Sequence, residues 1–198
     1  MEIKIHYLLV ILLLAAITGA GAAVHTMQGT FKTQKPTDTQ FNDTRNSGTG
    51  TSTLNSATYN VYFCPKDSCS THVIDAIDNA KSSIHIAMYD FTLKSIANAL
   101  IQAKSRGVDV EVVIESDDVK GSEYYTLQNA GISIKLDGNP ALMHNKYMII
   151  DGVTVETGSF NWTFSANTAN NENLIILQST TLASLYETDF QKIFAAGH

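Results

Sequence analysis

The sequence predicts an α/β fold built as one domain over residues 59–198, and three observations predict it. Segments of strand character alternate with segments whose apolar residues recur at helical spacing, the pattern of a layered sheet. Gly107 and Gly131 each stand just past a helical segment, where left-handed caps belong. Asp151-Gly152, between Tyr147-Met148-Ile149-Ile150 and Val153-Thr154-Val155-Glu156-Thr157, is a hairpin signal that adds an antiparallel pair to that sheet.

The elements follow in order. Residues 59–63 alternate as a strand; 70–81 carry Val73, Ile74, Ile77 and Ala80 on one helical face. Residues 83–89 read as a strand with Ile84, Ile86 and Met88 on one side, which leaves His85 out of phase as a structural or surface histidine. A helix over 93–106, a strand over 108–114, a helix over 119–130 and a strand over 132–136 come next. The 146–158 hairpin, a strand over 173–177 and a helix over 181–194 complete the domain. If Ile150 lies opposite Val153 in a two-residue turn, Lys146 faces Thr157 and His144 faces Ser159, all four on one side of the hairpin with Met148, Ile150, Val153 and Val155.

At 198 residues and 44% hydrophobic content the chain supplies the core of one ordinary domain rather than two. Its net charge of −6 provides no global basic field, so an anionic partner must be held locally. Before the domain, Lys4 precedes an almost wholly apolar run over 7–17 and then Thr18-Gly19-Ala20-Gly21-Ala22-Ala23. This reads as a signal peptide cut after Ala20-x-Ala22, or as an anchor extending to Val24, a tether through residues 7–24. Either reading places the domain outside the cytoplasm. Residues 25–58 are rich in Thr, Ser, Asn, Gln and Gly and read as a disordered polar linker. Cys64 and Cys69, with four residues between them, form a disulfide candidate in an exported chain; with His72 they also resemble part of a zinc site, without an evident fourth ligand. Asp117-Asp118 reads as a solvated loop, and no metal or cofactor is expected.

The chemistry concentrates near the C-terminus in the string His144-x-Lys146-x4-Asp151-x6-Gly158-Ser159-x-Asn161. An imidazole is a nucleophile at neutral pH, an ammonium steadies phosphate oxygens, and a hydroxyl and an amide donate to the same oxygens. This spacing resembles the signature of the phospholipase D superfamily. Gly158-Ser159-Phe160-Asn161-Trp162-Thr163 and Asn171-Glu172-Asn173 are most similar to its small single-motif members, among them bacterial secreted or periplasmic endonucleases and mitochondrial cardiolipin hydrolase-like proteins.

The resemblance implies a mixed sheet flanked by helices on both faces and a metal-independent phosphodiesterase with His144 as covalent nucleophile. Lys146, Ser159 and Asn161 would stabilise the phosphoryl group, and Glu172 matches the carboxylate that orients the histidine. Because the chain holds one such motif, the resemblance also implies a homodimer whose two motifs share one cleft. Asp151 and Gly158 belong to the motif but read as structural, since Asp151 falls in the hairpin turn. Nucleic acid and phospholipid are the two substrate classes expected, with a catalytically silent binding module as a third reading.

Overall fold

The computed structural model describes residues 57–117 and 119–198. The expected N-terminal targeting segment and most of the linker, and Asp118, lie outside them. The elements are β1 (Thr58–Cys64), α1 (Cys69–Asn79), β2 (Ser83–Met88), α2 (Lys94–Ser105), β3 (Asp109–Ile114), α3 (Tyr124–Asn129), β4 (Ser133–Leu136), β5 (Lys146–Ile150), β6 (Thr154–Gly158), α4 (Phe164–Thr168), β7 (Glu172–Gln178) and α5 (Thr180–Ala196).

The strands make one mixed sheet in the order β1-β7-β6-β5-β2-β3-β4. β2, β3 and β4 run parallel, as strands joined by crossover helices must, and every other neighbouring pair is antiparallel. On one face Ile84, Ile86, Met88, Met148 and Ile150 pack with Val73 and Ile77 of α1, Leu100 of α2, Leu127 of α3 and Ala166 of α4. On the other, Ala87, Val113, Tyr147, Ile149 and Val155 are covered by Ala183 and Phe190 of α5. The expected mixed sheet with helices on both faces is thus the fold observed.

Two local expectations are corrected. The stretch 119–130 is not one helix: a 3-10 turn over Val119–Gly121 precedes α3. Ser122 causes the break, its hydroxyl donating to the Val119 carbonyl and accepting from the Tyr124 N–H, in competition with the helical ladder.

The hairpin register is shifted by one residue. Asp151 and Gly152 form the turn with φ of 54° and 63°, and the Val153 N–H donates to the Ile150 carbonyl at 3.0 Å. Ile150 nevertheless pairs with Thr154, and Tyr147 with Thr157, so Val153 is an extra, bulged residue. One added residue exchanges the faces of everything after it. Val155 and Thr157 therefore lie on the α5 face with Tyr147, and Glu156 enters the main core beside Met148. Lys146 does not face Thr157, and Ser159 lies beyond the pairing.

Candidate active site

His144 and Lys146 stand where β5 begins. The loop before them is tied down twice: the Met143 N–H donates to Glu115 Oε2 at 2.6 Å, and the Tyr89 N–H donates to the Asn145 carbonyl at 2.8 Å. Glu115, itself only 3% exposed, also accepts from the Ser116 and Asp117 N–H groups. The Lys146 ammonium donates to the His144 carbonyl at 3.0 Å and lies 3.2 and 3.3 Å from the two ring nitrogens, Nδ1 and Nε2. Partial burial lowers the Lys146 pKa below the ordinary lysine value, while the carboxylates of Glu172 and Asp90 act in the opposite direction. The Tyr89 ring packs against both groups, its centroid 4.4 Å from the His144 ring and 5.0 Å from Lys146 Nζ.

The second half of the motif enters from β6. A Cβ at Gly158 would strike the Asn173 backbone carbonyl, so glycine is required for this close approach to β7. The Ser159 hydroxyl donates to Glu172 Oε2 at 2.5 Å and accepts from the Asn173 N–H at 3.1 Å. Asn170 Nδ2 donates to the other oxygen of Glu172 at 3.1 Å. Here the arrangement differs from the expectation for Glu172: its hydrogen bonds go to Ser159 and Asn170 rather than to His144, and its field acts on Lys146. Asn161 Oδ1 is buried without a hydrogen-bond partner among the described residues, so the acceptor side of its amide is unused. The backbone around it is fixed by the Trp162 N–H donating to the Asp90 carbonyl at 3.0 Å and by the Thr92 and Leu93 N–H groups donating to the Trp162 carbonyl at 2.9 Å.

Asp151 is at the other end of β5, five residues of extended chain or about 16 Å from Lys146. Its carboxylate accepts from the N–H groups of Lys81, Ser82 and Ser83 and from the Ser82 hydroxyl. Desolvation raises its pKa, but these hydrogen bonds outweigh that effect and hold it below the ordinary value. Cys64 and Cys69 are joined by a disulfide at the end of β1. His72 stacks on Tyr62, and among the described residues no three His, Cys, Asp or Glu side chains are grouped as metal ligands. His85 bridges the sheet to α5, stacked on Phe190 with Nδ1 2.8 Å from Glu187 Oε2.

A cavity of about 420 Å³ opens beside the motif, lined by His144, Lys146, Tyr147, Gly158, Tyr186 and Asp189 among others. The Tyr147 hydroxyl donates to Asp189 at 2.9 Å; burial first, and that carboxylate second, raise the Tyr147 pKa so that the phenol stays protonated. Sequence reasoning missed Tyr89, Glu115, Tyr186 and Asp189. Tyr89 is the position next in line after the apolar face of β2, and the others lie on segments with no motif of their own.

Comparison with known proteins settles the family. The family model described as "Cardiolipin synthase, PLD-like domain" matches residues 73–194. The chain belongs to the phospholipase D-like family. It is 38% identical over 126 residues to a "Phospholipase D" of Rickettsia bellii, a match spanning 63% of this chain and 63% of that protein, less than two thirds of the relative's length. It is 31% identical over 136 residues to a "Mitochondrial cardiolipin hydrolase" of Xenopus tropicalis, covering 66% of this chain and 65% of that one. The crystal structure of Nuc from Salmonella typhimurium, a phospholipase D family member, superimposes with a TM-score of 0.69 at 37% identity, covering 72% of this chain and 97% of the other. The phospholipase D superfamily is one of phosphodiesterases, and this chain has the fold of its single-domain members.

Proposed function

We propose that this chain is a metal-independent phosphodiesterase that works through a covalent phosphohistidine on His144 at a site shared by two copies, with nucleic acid as its substrate. The observation that carries the reading is the pairing of the His144 ring with the Lys146 ammonium at 3.2–3.3 Å, beside a cavity of about 420 Å³ that both residues line. The neutral imidazole carries a free electron pair on one ring nitrogen, the atom that can attack.

That nitrogen attacks phosphorus, a phosphorus–nitrogen bond forms, and the bond to the departing ester oxygen breaks. Lys146 and the Asn161 amide stabilise charge on the non-bridging oxygens. Ser159 and Glu172 act together, the hydroxyl fixing the carboxylate whose field keeps Lys146 charged. The departing oxygen takes a proton from the second copy's histidine, which then removes one from the water that cleaves the phosphohistidine. A single motif per chain supports the shared cleft, and the N-terminal apolar run supports action outside the cytoplasm.

Nucleic acid is favoured by the motif's similarity to single-motif endonucleases and by the likeness to Nuc over nearly that protein's whole length. One observation favours a phospholipid instead. Among the residues lining the cavity Lys146 is the single lysine or arginine and Asp189 adds a carboxylate, which suits one phosphate better than a polyanion.

The purified full chain is expected to hydrolyse bis(p-nitrophenyl) phosphate in EDTA, and His144→Ala to abolish turnover without lowering the unfolding temperature. Strict dependence on added divalent metal would overturn the mechanism, and an inactive wild type would leave a binding module. Single-stranded DNA, RNA, cardiolipin and phosphatidylcholine assayed side by side decide the substrate. Exchanged heterodimers of His144→Ala and Lys146→Ala that behave as the average of independent sites would refute the shared cleft.

A further inference from the structure

The geometry points to Tyr89 as a positioning residue that sets the orientation of the His144 imidazole and holds the Lys146 ammonium beside it. The inference rests on the reading of His144 as nucleophile and deepens it.

Tyr89 follows β2 directly and meets the start of β5 through backbone and side chain together. Its N–H donates to the Asn145 carbonyl at 2.8 Å, so the peptide between the two motif residues is tied to the tyrosine. Its ring lies 4.4 Å from the His144 ring at an interplanar angle of 55° and takes Lys146 Nζ over its face at 5.0 Å. An exposed imidazole two residues outside a strand otherwise has free rotation about two side-chain bonds. A flat ring against one side removes part of that freedom. The same π face attracts an ammonium and so opposes its departure into solvent.

The segment Tyr89-Asp90-Phe91 also joins the two halves of the motif. Tyr89 holds Asn145, the Asp90 carbonyl receives the Trp162 N–H, and Phe91 stacks edge-on against Trp162 at 4.9 Å. One short connection thus fixes the His-x-Lys strand relative to the Gly-Ser-x-Asn loop. A group on it that touches both reacting side chains can transmit that fixed distance to the imidazole itself. Misplacing a nucleophile acts on the rate of the chemical step more than on substrate affinity.

The test compares Tyr89→Phe with Tyr89→Leu in the full chain. The phenylalanine variant keeps the ring and is expected to retain kcat within about twofold. The leucine variant is expected to lose kcat by about ten- to a hundredfold with KM moved by less than about threefold. Its alkaline limb, set by Lys146 with His144, Glu172 and Asp90 around it, should move down by about half a pH unit as the cation–π contact is lost.

A readout independent of turnover is the NMR resonance of His144 Hε1, displaced by the ring current of Tyr89. It should move in Tyr89→Leu and stay in Tyr89→Phe. If both variants keep full kcat, or if Phe fails as badly as Leu in a folded protein, Tyr89 does not position the histidine. An inactive wild type whose His144 resonance nevertheless responds to Leu alone would spare the contact and refute the proposed reaction.

Discussion

Replacing Glu156 by glutamine should remove a pH-dependent weakness from the fold. Glu156 is 1% exposed in the main core, paired across the sheet with Met148 and Ile176. Its Oε2 and the Trp162 Nε1 are both buried without a hydrogen-bond partner among the described residues, so the indole offers only weak compensation. Burial pushes the carboxyl up to about 8 from an ordinary value of 4.5. The folded protein therefore keeps a proton that the unfolded chain releases above pH 4.5, and stability is fully present below that value and lost as pH rises toward 8. The slope is about 1.4 kcal/mol per pH unit, giving a loss on the order of 3 kcal/mol between pH 5 and 8. Urea unfolding across that range should show the decline in the wild type and not in Glu156→Gln, whose amide carries no charge at either end. Parallel curves for the two proteins would refute this account of the buried acid.

Other perturbations have outcomes of similar definition. Gly158→Ala forces a Cβ against the Asn173 carbonyl and should destabilise the domain by about 1–3 kcal/mol in denaturant unfolding, with separation of β6 from β7 detectable by hydrogen exchange. In Glu115→Gln one amide end can no longer accept, so either the Met143 or the Ser116 N–H loses its bond; kcat should fall about tenfold at nearly unchanged KM. Glu172→Gln removes a carboxylate that raises the Lys146 pKa against desolvation. The lysine then deprotonates at lower pH, and the alkaline limb of kcat/KM should shift downward; an upward shift would contradict the assigned field.

The order of elements was readable because alternation of strand and helix is a local property of the chain, and Gly107 and Gly131, with φ of 90° and 76°, end their segments as expected. The hairpin register was not, because distant groups fix it. The Val153 carbonyl accepts from the Ser179 N–H at 2.8 Å, and Asp151 is held by Lys81, Ser82 and Ser83. These contacts make room for one extra residue that the Asp-Gly turn alone does not demand. His144 and Lys146 were legible because they share one strand and one spacing. Tyr89 and Glu115 reach the same point from the ends of β2 and β3, and no periodicity in 83–89 or 109–115 marks either. Ser159 and Glu172 were visible separately, but their mutual hydrogen bond depends on the pairing of β6 with β7.

A phosphohistidine on His144 can be trapped and read by mass spectrometry of protein quenched during turnover of bis(p-nitrophenyl) phosphate. An acid-labile, base-stable phosphoryl adduct is expected on the peptide containing His144, absent in His144→Ala and accumulating in step with a burst of nitrophenol. Full turnover with His144 unmodified at every quench time, together with direct transfer to water in a single inversion at phosphorus, would contradict it.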